Sequence, residues 1–87
     1  MDTLSNIYNF KKLTQRETEV LKLLAKFKCN KEIANDLSIS ESTAKAHISS
    51  ILRKFNVYER AQCVIIGLKL GLIKSSEIRV KIRNLYE

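Results

Sequence analysis

The chain contains no proline, and its only two glycines sit at positions 67 and 71. Proline removes a backbone donor and clashes with the preceding turn, and glycine carries the largest backbone entropy, so these two residues are the main interrupters of helices. With both nearly absent from 87 residues, the backbone is left to helices joined by short polar turns, and the fold class is all-α. That length sets one domain around one small core and leaves no room to wall off a large enzyme pocket. A composition that is 45% apolar and 29% charged is that of a chain that folds, not of a disordered tail.

Periodicity divides the chain into elements. Thr14 followed three residues later by Glu17 has the form of a capping box, and Glu17, Val20, Leu21, Leu24 and Phe27 recur at helical spacing, so a first helix is expected from about Gln15 to Phe27. Asn30 is an N-cap residue and opens a second, two-turn helix with Ile33, Ala34 and Leu37 on one face. Ser38-Ile39-Ser40 is a polar break around one apolar residue, after which Ser40 or Glu41 starts a third helix reaching about Phe55. Its apolar stripe is Ala44, Ile48, Ile51, Leu52 and Phe55; the opposite face carries Lys45, Ala46, Ser49, Ser50, Arg53 and Lys54.

Beyond a turn at Asn56-Val57-Tyr58, Glu59 to Leu70 reads as a fourth helix that is apolar nearly all round. A small core cannot cover every face of such a helix, so its second apolar face points to a partner chain. Ala61, Val64, Ile65 and Leu68 form the expected dimer stripe, with Cys63, Gly67 and Leu70 facing inward; the two stripes are exchangeable. Ser75-Ser76-Glu77 opens either a short fifth helix with Ile78, Ile82 and Leu85 on one side, or a strand in which Ile78, Val80 and Ile82 alternate with Arg79, Lys81 and Arg83; the helix is favoured. The organisation is thus an N-terminal arm at 1–12, with Leu4, Ile7, Tyr8 and Phe10 either folded back or frayed, a domain at 13–74 and a C-terminal extension at 75–87.

Charge narrows the function. Sixteen Lys and Arg against nine Asp and Glu give a net +7, a field that attracts polyanions. Nucleic acid and an anionic membrane surface are the candidates, but no apolar run approaches the roughly 20 residues of a spanning helix. Met1-Asp2-Thr3-Leu4 lacks a cationic n-region followed by an apolar one. The expectation is a cytoplasmic protein with no membrane partner, whose Cys29 and Cys63 stay reduced. No metal or cofactor is expected, because Cys29, His47 and Cys63 are separated by 18 and 16 residues and include no close ligand pair. Nor is catalysis, since no paired carboxylates, nucleophile-base pair or phosphate-cradling glycine loop is present.

A two-turn helix, a tight turn and a longer helix with a basic, short-side-chain outer face is the pattern of a helix-turn-helix. A helix that enters a groove about 12 Å wide needs small or cationic residues on its leading face. Ala46 and Ser49 permit close approach, and Lys45 reaches guanine acceptors or a phosphate. The N-termini of the second and third helices, at Asn30 and Ser40, each offer N–H groups to a phosphate. Taken alone, Ser42 and Thr43 also fit a purely local role in the first turn of the third helix.

The sequence also resembles the LuxR-type (GerE-like) helix-turn-helix of bacterial transcription regulators. The resemblance is carried by Leu13-Thr14-Gln15-Arg16-Glu17-Thr18-Glu19-Val20-Leu21, by Asn30-Lys31-Glu32-Ile33-Ala34 and by the run from Leu37 through Ser40-Glu41-Ser42-Thr43-Ala44-Lys45 to Ile48. Ile51-Leu52-Arg53-Lys54-Phe55-Asn56-Val57, Arg60 and Gly71-Leu72-Ile73 complete it, so that it covers residues 13 to 73 in order. It implies a four-helix domain whose third helix reads the major groove and whose fourth pairs with its twin. By position it implies base reading by Lys45, Ala46 and Ser49, backbone or positioning contacts from Lys31, Ser42, Thr43, Lys54 and Arg60, and a Glu17–Arg60 salt bridge. The chain departs from the pattern at Phe27, where a glycine usually closes the first helix, so that the turn is expected to move to Lys28 or Cys29. It departs also at Ala44 for a usual valine, at Gly67 for a usual alanine, and in about a dozen residues past Ile73.

The function expected is that of a sequence-specific, double-stranded DNA-binding transcription regulator acting as a homodimer on half-sites about 10 base pairs apart, with RNA polymerase a further partner. The alternative is a protein-interaction module that binds another regulator through the fourth helix or the tail. Met1 and the extra tail favour a stand-alone small regulator over the excised output domain of a longer one.

Overall fold

The computed structural model describes residues 11–79. These contain four α-helices, α1 (Gln15–Leu24), α2 (Asn30–Leu37), α3 (Glu41–Phe55) and α4 (Arg60–Lys69), and a 3-10 turn at Ser75–Glu77. The fold is all-α, with no strand among the described residues.

Each helix starts on a side-chain cap. At α1 the capping box is complete: Glu17 N–H donates to Thr14 Oγ1 at 3.1 Å, and Thr14 N–H donates to Glu17 Oε1 at 2.9 Å. Ser40 Oγ accepts from Thr43 N–H at 3.1 Å and opens α3. For α2 the cap is Cys29, one residue earlier than the sequence pattern indicates, because the Glu32 carboxylate accepts the Cys29 N–H at 2.9 Å. Gln62 Oε1 accepts from both Tyr58 and Glu59 N–H groups, at 3.1 and 3.0 Å, and fixes the entry to α4.

All four helices close in the same way. An N–H beyond the helix returns to a carbonyl five residues earlier, from Lys28 to Leu23, Ile39 to Ala34, Val57 to Leu52 and Leu72 to Gly67. This closure needs a left-handed residue just before the donor. Phe27 (φ 56°), Ser38 (φ 55°), Asn56 (φ 55°) and Gly71 (φ 76°) supply it. Two expectations are corrected here: α1 stops at Leu24 rather than Phe27, and the turn does not move to Lys28 or Cys29. Phe27 takes the strained conformation itself, with its ring 52% exposed, because its own N–H bond to Leu24 (2.9 Å) and that of Lys28 to Leu23 (3.5 Å) both depend on it.

The helix α1 packs on α3 and α4, α2 packs on α3, and α4 also rests on α3. Val20, Leu21, Ile33, Ile51 and Phe55 fill the centre. Gly67 lies where α4 meets the chain that follows it: a Cβ there would sit 2.7 Å from Ile73 Cδ1 and 3.0 Å from Leu21 Cδ2. The helix propensity given up at Gly67 is therefore matched by close packing of two core side chains. Beyond Ile73 the described residues carry a 3-10 turn at Ser75–Glu77 and Ile78 is extended, while the rest of the expected fifth helix lies outside the described residues. Arg79 N–H donates to the Ala25 carbonyl at 3.0 Å, while Lys11 N–H donates to the Lys54 carbonyl at 3.3 Å. Leu4, Ile7, Tyr8 and Phe10 of the arm, and Val80, Ile82 and Leu85 of the extension, lie outside the described residues.

Candidate nucleic-acid interface

Helix α2, the turn at Ser38 and helix α3 form a helix-turn-helix. One face of α3 is locked into the core by Ala44, Ile48, Ile51 and Phe55, which fixes the direction of the other. On that outer face Lys45, Ala46 and Ser49 are exposed, as the sequence pattern requires. Arg53 is exposed on the same stripe, one helical turn beyond Ser49. It is absent from the site residues carried over by resemblance, although its four-residue spacing from Ser49 in the sequence signals it.

Lys54, one position on, points elsewhere. Its ammonium lies 2.6 Å from Glu17 Oε1, and the side chain is only 24% exposed. Glu17, 5% exposed, also accepts from Ser50 Oγ at 2.5 Å and from the Thr14 N–H. Burial alone pushes the Glu17 carboxyl pKa up; the hydrogen bonds from Lys54, Ser50 and the Thr14 backbone, together with the Lys54 charge, outweigh it and hold the pKa at about 2. The expected Glu17–Arg60 bridge is thereby corrected to Glu17–Lys54. Lys54 ties the C-terminal half of α3 to α1, so its charge is engaged within the domain rather than offered to a phosphate. Arg60 instead donates from Nη2 to Asn30 Oδ1 and joins the first turns of α2 and α4.

The remaining cap-side residues cluster at the start of α3. Ser40 Oγ donates to Thr43 Oγ1 at 2.9 Å and lies 3.1 Å from Ser42 Oγ. Both Ser42 and Thr43 are exposed, so they serve the local cap while their remaining lone pairs and hydrogens face outward. Lys31 is exposed in the first turn of α2. A shallow groove beside α3 brings Lys45, Ser49 and Arg60 together with Asn30 and Tyr58; Ser42, Thr43 and Lys31 lie outside it.

On α4 the apolar stripes separate. Ala61 is exposed, Ile65 is 53% exposed and Leu68 is half-buried. Val64 is 4% exposed and packs in the core with Cys63 and Gly67, so it is removed from the expected dimer stripe. Burial pushes the Cys63 thiol up to about 11, so this core side chain stays a protonated thiol at neutral pH. Among the described residues no helix is long and apolar enough to cross a membrane.

A family model for bacterial regulatory proteins of the luxR family matches residues 11–66. The chain belongs to the luxR family. Over 59 residues it is 48% identical to the spore germination protein GerE of Bacillus subtilis (strain 168), covering 68% of this chain and 80% of that protein. Over 62 residues it is 47% identical to the transcriptional regulatory protein DegU of Brevibacillus brevis, covering 71% of this chain but 26% of DegU. The solved structure of the transcription factor GerE matches with a TM-score of 0.68 at 38% identity, over 72% of this chain and 94% of that one. The four helices are thus the luxR-family helix-turn-helix, the DNA-binding domain of transcription regulators, and the chain spans about a quarter of the length of DegU.

Proposed function

We propose that this domain reads a specific double-stranded DNA sequence as a homodimer, with α3 in the major groove, and so regulates transcription in the cytoplasm, with RNA polymerase as the partner of the bound complex. The observation that carries this is the outward stripe of Lys45, Ala46 and Ser49, continued by Arg53, on a helix whose opposite face is buried. Lys45 and Ser49 are the base readers, and Ala46 allows the helix to seat. Lys31, Ser42, Thr43 and Arg60 hold the sugar-phosphate backbone, helped by the positive ends of the α2 and α3 helix dipoles. Ala61, Ile65 and Leu68 supply the dimer contact along α4. The folded unit is residues 13–74, flanked by the arm and the extension, and no catalysis takes place in it.

The test is selection of a random duplex pool with wild type and Lys45→Ala, followed by salt titration on the retained sequences. A two-fold motif for wild type that degrades in the variant is expected. Six neutralised phosphates per dimer predict a fall in affinity of about a thousandfold between 50 and 200 mM salt. No enriched motif together with a flat salt response overturns the reading. If Ile65→Asp abolishes regulation while Lys45→Ala leaves it intact, the domain is instead a protein-interaction module working through α4.

A further inference from the structure

Tyr58 is 95% exposed, more than either of the other exposed large apolar residues, Phe27 and Ile65. Its position is nevertheless fixed. The Val57 N–H bond to Leu52 closes α3 on one side of it, and its own N–H is held by Gln62 at 3.1 Å on the other. The side chain stands between two adjacent grooves and walls both. One groove contains Lys45 and Arg60, the other Arg53 and Asn56, and Ser49 borders each. An apolar ring with a polar tip is therefore presented to solvent among three cations and one carboxylate, that of Glu59 in the first groove, next to the outer face of α3.

We propose that Tyr58 is a DNA-backbone contact: its phenol donates a hydrogen bond to a phosphate oxygen, and its ring packs on the adjoining deoxyribose at the edge of the groove that α3 enters. The proposal rests on the DNA-binding reading above and deepens it. The surroundings select the occupant, because Lys45, Arg53 and Arg60 outnumber the single carboxylate of Glu59 and favour a polyanion over an apolar peptide. Tyrosine suits the role, since it offers a large contact with two side-chain torsions to freeze, and tyrosine hydroxyls are among the usual donors to phosphate. A neutral phenol releases no counterion, so this contact adds affinity without adding salt dependence, unlike a lysine or arginine. It also carries no sequence information, so it raises affinity for all duplexes alike.

The experiment measures Kd of the whole chain for its selected duplex and for a scrambled one, from 50 to 300 mM salt, for wild type, Tyr58→Phe, Tyr58→Ala and Arg53→Ala. Tyr58→Ala is expected to weaken binding roughly tenfold on both duplexes, and Tyr58→Phe to recover part of that loss by keeping the ring. The slope of log affinity against log salt stays at the wild-type value in both, while Arg53→Ala, which removes one phosphate contact from each protomer, lowers its magnitude by about 1.8 per dimer. The proposal is overturned if Tyr58→Ala binds like wild type, if its salt slope falls, or if its urea midpoint shifts from that of wild type. Salt-steep binding by wild type with a silent Tyr58→Ala leaves the DNA-binding reading standing and removes this inference alone. Failure of wild type to bind any duplex removes both.

Discussion

Replacing Glu17 by glutamine keeps the shape of a side chain that is 5% exposed and removes only its charge, so the variant stands in for the protonated acid. The carboxyl titrates at about 2 in the folded domain, against 4.5 for the free group. That difference corresponds to about 3 kcal/mol of stability at pH 7. The folded carboxyl is the stronger acid, so the contribution is complete above pH 4.5, shrinks as pH falls towards 2, and is gone below it. At pH 3 a little over 1 kcal/mol remains by the same linkage relation. Urea unfolding of wild type and Glu17→Gln at pH 7 and pH 3 is therefore expected to give a gap of about 3 kcal/mol that narrows to less than half at the lower pH. A gap below about 1 kcal/mol at pH 7, the level of an ordinary surface pair, or a gap equal at both pH values, refutes the assignment of Glu17 as the charged strap between α1 and α3.

Two further predictions concern the helix ends and α4. Phe27→Gly relieves a left-handed conformation that disfavours any side chain with a Cβ; after the entropy lost by glycine, a gain of about 0.5–1 kcal/mol in urea unfolding is expected. Phe27→Ala, still left-handed, should show no such gain, and equal behaviour of the two variants would refute the strain. Val64→Asp places a charge in the core and is expected to abolish cooperative unfolding, whereas Ile65→Asp keeps wild-type helical circular dichroism and sediments as a monomer. A folded Val64→Asp would mean that the two stripes of α4 are exchanged.

The starts of α1 and α3 were legible in the sequence because caps are local: Thr14 with Glu17, and Ser40 with Thr43, act within three residues, whereas the α2 cap fell on Cys29 instead of Asn30. The α1 end was not. The sequence has Phe27 where a glycine was wanted, and only the bonds from Phe27 and Lys28 to Leu24 and Leu23 show that the closure keeps its place at the expense of strain. The outward stripe of Lys45, Ala46 and Ser49 followed from the strong amphipathic phase of α3, whereas α4, apolar on most sides, left its phase open, and Val64 fell on the inner face. Arg53 and Lys54 differ by one position, about 100° around the helix. Which of them meets Glu17 depends on how α1 crosses α3, a contact between residues 37 apart that no local pattern encodes.

The Lys11 and Arg79 bonds bear on how this domain can be handled. Each backbone N–H caps a carbonyl at the C-terminal end of a helix, Lys54 in α3 and Ala25 at the close of α1. Lys54 lies nine residues from Lys45, which along a helix is about 14 Å. The described chain therefore enters the domain at the end of α3 remote from Lys45, and leaves it beside α1. Trimming the chain past either residue would uncover a helix-end carbonyl.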